Sequence, residues 1–152
     1  MDDQKQLRVH LLELLEGKSA HIDIESAVKD FPLDNINTVV DNSPHTAWQL
    51  LEHIRIAQWD ILEFSRHAKH VSPDWPDGYW PKSKGTAATW RKSLGKILND
   101  VQAMRDLVAD EKNDLYKPFP WGDGQTLLRE TMLIADHNAY HLGQLVLLRK
   151  ML

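Results

Sequence analysis

The chain has 152 residues, with 18 basic against 22 acidic side chains for a formal charge of −4, and no cysteine. That length suits one domain, burying roughly 70% of its unfolded surface without staples. The missing cysteines exclude disulfides, thiolate metal cages, iron–sulfur clusters and a cysteine nucleophile, and the acidic balance argues against nucleic acid or an anionic membrane as partner.

The first residues carry Asp2, Asp3, Lys5 and Arg8 in place of the apolar stretch of a signal peptide. No run approaches the roughly 18 apolar residues of a membrane span. A soluble, cytoplasmic protein is expected. From about Gln4 to Glu16 the leucines 7, 11, 14 and 15 recur at helical spacing, and Gly17 supplies a stop. The long connection from Lys18 to Asn42 holds a short helix at Asp23–Asp30, with Asp23 as cap. The second long helix is expected to start at Ser43-Pro44 and run to about Ala68 on a stripe through Ala47, Leu50, Leu51, Ile54, Ala57, Ile61 and Leu62. A loop rich in proline and tryptophan follows, Ser72 to Gly85. The third helix starts near Thr86 and repeats Trp90, Leu94, Ile97, Leu98, Val101, Met104 and Val108. The fourth follows Gly122-Asp123-Gly124 from about Gln125 to the end, a span of about 37 Å at 1.5 Å per residue. Nothing alternates with a period of two. Four amphipathic helices without a sheet predict an all-α four-helix bundle, single-domain over 1–152, with long crossover connections.

Eight histidines are the chemical resource. His137 and His141 stand at i and i+4, so both rings leave one helix face about 6 Å apart along the axis, within reach of one ion. Eight random histidines would give such a pair roughly one time in three. Spacing alone therefore leaves two readings: a metal pair, or hydrogen-bonded core histidines. The pair shares its face with Ile134 and Leu145, and His53 lies beside the stripe of the second helix. Three neutral imidazoles from opposed helices would hold a divalent metal and leave a position open. His10 is a reserve ligand. His67 and His70 read as solvated side chains at a helix end. His45, eight residues before His53, would lie about 12 Å away along a helix, too far to share its ion. Asn138 stands where a zinc peptidase carries its glutamate, and no Glu-x-x-His pair recurs as a di-iron site requires. Gln144 is placed to bond a ligating imidazole or a metal-bound ligand. Glu130, two turns from His137, reads as a surface or inter-helix salt bridge. The loop residues Trp75, Tyr79, Trp80 and Trp121 either roof a cleft or seal the bundle ends, and sealing is the simpler expectation.

Taken together, the run from Ser43 to Arg55, SPHTAWQLLEHIR, and the run from Asp136 to Leu145, DHNAYHLGQL, resemble the DinB-like (damage-inducible, YfiT-type) superfamily. Trp80-Pro81 and Gly122–Leu128 fit it more softly. The resemblance implies an up-down-down-up bundle and a divalent metal on His53, His137 and His141. Zinc or nickel suit such ligands best, with iron or manganese as alternatives. It further implies a homodimer and chemistry with a low-molecular-weight thiol, as a metal-dependent transferase or hydrolase-type enzyme acting on a small molecule. With no cysteine in the chain, the thiol would come from the substrate. The other reading is a non-catalytic metal-binding structural or stress-response protein.

Overall fold

The computed structural model describes residues 3–152. Among the described residues five helices follow one another, α1 (Asp3–Glu16), α2 (Ile24–Val28), α3 (Ala47–Arg66), α4 (Ala87–Ala109) and α5 (Leu127–Met151), with single 3₁₀ turns at Leu33–Asn35 and Asp77–Tyr79. The described residues include no strand, only an isolated bridge between Pro118 and Thr126. The all-α bundle expected from the periodicity is what forms. No described helix is long and apolar enough to cross a membrane.

Local chemistry sets the helix starts. Asp23 caps α2, its carboxylate accepting from Ser26 N at 2.7 Å. The second long helix starts later than Ser43-Pro44 suggested. Thr46 Oγ1 accepts from Gln49 N at 3.2 Å while Gln49 Oε1 accepts from Thr46 N at 2.9 Å. This reciprocal box satisfies two end donors at once and fixes the start at Ala47. Thr86 and Thr126 cap α4 and α5. Gly17, at φ +71°, takes the left-handed position that ends α1.

The apolar interior falls into two clusters. One joins Leu50, Leu51 and Ile54 of α3 to Trp90 and Ile97 of α4, Leu145 and Leu148 of α5, and Phe31 and Ile36 of the long connection. The other joins Leu11 and Leu15 of α1 to Ile61 and Leu62 of α3, Met104 and Val108 of α4, and Leu127 and Ile134 of α5. Leu14 is exposed, contrary to the stripe expected on α1, and Arg8 is buried in its stead. The Arg8 guanidinium donates to Val108 O and Asn113 O, both at 2.5 Å, answering a free carbonyl in the last turn of α4 and one in the turn that follows.

Polar groups lie between the clusters. Gln58, fully buried, donates to Ile97 O at 2.7 Å and accepts from Asn138 Nδ2 at 2.6 Å. His53, His137 and His141 lie on the same two helices, α3 and α5.

Candidate metal centre

His53 leaves α3 towards α5, where His137 and His141 stand one turn apart. One nitrogen from each ring lies within 4.8 Å of the other two. The Nε2 atoms of His53 and His137 are 3.0 Å apart. At metal–nitrogen bonds of 2.0–2.1 Å, two ligand nitrogens on one ion lie about 2.9 Å apart at a right angle and about 3.4 Å apart at a tetrahedral one. The observed separation falls in that range.

The partners of the outward nitrogens decide which atoms carry lone pairs. His53 Nδ1 is 2.9 Å from Tyr79 O. A carbonyl only accepts, so Nδ1 carries the proton and Nε2 the lone pair. His141 Nδ1 is 2.7 Å from Gln144 Oε1, which leaves its Nε2 free in the same way. Gln144 thus bonds a histidine of the trio, one of the two roles its spacing allowed. His137 Nδ1 is buried without a hydrogen-bond partner, as is Asn138 Oδ1 beside it in sequence. Lone pairs turned into one small space repel unless a proton or a cation lies between them. The donor set fits a divalent metal.

Electrostatics favour the neutral ligand form. Burial pushes His137 down to about 4, with His141 and His53 adding to the effect. Burial also lowers His141 and His53, although the Tyr79 carbonyl pulls His53 the other way.

The remaining histidines fall elsewhere. His10 is exposed beside Gln6 and Glu13, which removes it as a reserve ligand. His67 is exposed beside Glu63, as expected of a solvated side chain. His70 corrects that expectation, because its Nε2 lies 2.7 Å from Asp60 Oδ1 and its side chain is 9% exposed. His45 precedes α3, so the distance argued along a helix does not apply to it. It stacks on Trp80 at the margin of the trio, with ring centroids 3.9 Å apart. Glu130 makes the expected salt bridge, to Arg129 on its own helix, but is itself buried at 3% exposed, and burial raises its pKa.

Trp80 departs from the sealing expectation, as does Trp75, which is 78% exposed. The Trp80 ring lies on His53, centroids 4.0 Å apart, so it roofs the trio. Trp121, itself exposed, stacks on Phe119 and donates to Phe64 O near the end of α3. Asp60 was missed. Its one signal was a carboxylate inside the apolar stripe, seven residues after His53 and therefore near the same helix face.

The DinB superfamily pattern matches residues 19–145. The chain belongs to that superfamily. The match takes in α2 to α4 whole, and all three clustered histidines on α3 and α5. No curated protein and no solved structure matches the chain.

Proposed function

We propose that His53, His137 and His141 hold one divalent metal ion, zinc or nickel before iron or manganese, and that the protein uses it as a thiol-dependent transferase or hydrolase-type enzyme. The observation that carries this reading is the convergence of three imidazole nitrogens, two of them with the opposite ring nitrogen tied to an acceptor. A divalent ion on neutral imidazoles keeps its full charge and supplies Lewis acidity, lowering the pKa of bound water or of a substrate thiol. The chain's own part is to present lone pairs, to fix the rings through Tyr79 O and Gln144, and to shield one side with Trp80. No carboxylate joins the histidines in that cluster among the described residues. This favours chemistry in which the substrate brings its own nucleophile, and it also leaves room for the non-catalytic reading.

Elemental analysis of protein purified without chelator tests the site, with about one ion per chain expected. Turnover of a small thiol with an electrophile panel, abolished by chelation and restored by metal, tests the reaction. Stoichiometric metal without turnover would select the non-catalytic reading, and absence of metal would overturn both.

A homodimer and a cytoplasmic setting belong to the same proposal, with no nucleic acid or membrane as partner. Tyr140, Leu147 and Met151 are exposed along α5, with exposed Gly143 between them, giving an apolar stripe at helical spacing. Leu147→Glu should convert a dimer to monomer in light scattering. A concentration-independent monomer mass for the unaltered chain would remove the dimer.

A further inference from the structure

One carboxylate holds both ends of the loop that covers the histidines. Asp60 is 8% exposed. Its Oδ1 lies 2.7 Å from His70 Nε2, at the start of the loop, and its Oδ2 accepts from Tyr79 Oη at 2.6 Å, near the end. Tyr79 then turns its carbonyl to His53 Nδ1, and the next residue, Trp80, lays its ring on the His53 face. A continuous set of contacts therefore runs from Asp60 through Tyr79 to a candidate ligand on the same helix.

We propose that Asp60 and Tyr79 are positioning residues for His53. They clasp the 70–80 loop onto α3, so that the Tyr79 carbonyl sets the tautomer and tilt of the His53 ring and its Nε2 lone pair faces His137 and His141. The inference rests on the metal reading above. A carboxylate that merely satisfied buried neighbours would change stability when altered and leave His53 as good a donor as before. A positioning role predicts more. Loosening the Tyr79 hydroxyl frees the carbonyl to drift, and the bond that holds the ring loses its direction. Partners one step behind a metal ligand typically carry 10- to 100-fold in metal affinity.

The test is Co²⁺ titration of the full chain, read by visible d–d absorption and by competition with a chelator. Tyr79→Phe removes one hydroxyl and no ligand. It should weaken Co²⁺ binding about 10-fold and alter the band shape, because the coordination geometry changes. Asp60→Ala, which removes both acceptor oxygens, should do the same. The double variant should bind no more weakly than Asp60→Ala alone, since both changes cut the Asp60–Tyr79 bond. Ser65→Ala serves as the structural control: Ser65 Oγ bonds Ile61 O within α3, a bond that involves neither Asp60 nor Tyr79. It should lower the melting temperature and leave the Co²⁺ affinity unmoved. Should Asp60→Ala fail to fold by circular dichroism, Tyr79→Phe carries the test alone. Wild-type affinity and band shape in Tyr79→Phe would overturn the clasp and leave the metal site standing. A wild-type chain that binds no Co²⁺ would overturn the metal reading, and the clasp with it.

Discussion

The Trp80 indole lies flat on the His53 imidazole, with 4.0 Å between centroids and 4° between planes. Its stack with His45 departs from parallel by 18°, and it meets His141 edge-on at 6.3 Å. An aromatic ring against a ligand ring reports on what that ligand binds. Adding Co²⁺ or Ni²⁺ should quench part of the emission of the six tryptophans. Trp80→Phe should remove most of that quenching while keeping affinity within about threefold, because a stacked ring remains. Undiminished quenching in Trp80→Phe would show that the reporting indole lies elsewhere.

Replacing His53, His137 or His141 with alanine leaves two of the three candidate ligands. Metal content should fall from about one ion per chain to a small fraction, with the helical circular dichroism retained, because both apolar clusters remain. His67→Ala is the contrast and should keep its metal. Full metal in all three ligand variants would return these residues to hydrogen-bonded core histidines.

The metal-free protein should lose stability on acidification. With His137 at about 4 in the fold and near 6.5 when unfolded, the unfolded chain binds more protons between those values. The contribution is full above about pH 6.5 and disappears as pH falls towards 4, at up to about 1.4 kcal/mol per pH unit for one histidine. Glu130 and Asp100, raised by burial, act in the opposite sense. The comparison that isolates the histidine is therefore His137→Gln, whose urea midpoint should depend less on pH between 7 and 5. Equal slopes would contradict a buried neutral His137.

Arg8 is a stability residue that touches no candidate ligand. Arg8→Met keeps the apolar stem and removes the charged donors to Val108 O and Asn113 O. The loss should be about 2–3 kcal/mol, on the order of 5–10 °C in melting temperature for a chain of this size. Metal content should not change. An unaltered melting curve would show that water replaces the guanidinium at no cost.

Gly85 is the tightest glycine in the fold. A Cβ there would press on the Trp48 ring, while its N–H and C=O are both held by Asn37, at 2.8 and 2.9 Å. Neither side can yield without breaking that pair. Gly85→Ala should cost about 1–3 kcal/mol. Gly95→Ala, where nothing lies near the added carbon, should be neutral or stabilising. Both are read from thermal melts.

Helices were legible in the sequence because they repeat every three or four residues, and caps such as Thr86 and Asp23 are local. His53, His137 and His141 were legible as a group because regular helices and apolar neighbours place them on facing stripes. What escaped depends on loops. Trp80 and Tyr79 sit in a stretch with no period, so nothing in their order announced that one would cover His53 and the other accept a hydrogen bond from it. The start of α3 was misplaced because Ser43-Pro44 is a good opening by composition, while the reciprocal Thr46–Gln49 bonds are better by geometry. Arg8 is buried and Leu14 exposed because the Arg8 guanidinium answers carbonyls at and just beyond the end of α4, which the periodicity of α1 alone does not contain.

His137 and His141 are four residues apart on one helix, whereas His53 and His137 are separated by 84 residues of chain. In polymer terms the first pair is a local chelate, open to any stretch that coils into a single turn. The His53 bond would close a long loop, and a loose chain pays entropy for that closure that the folded bundle has already spent. An ion gripped by all three rings would act as a reversible cross-link between distant segments, stabilising the folded chain by an amount that grows with the logarithm of its free concentration. His53 is the member of the trio through which metal affinity becomes a measure of folding.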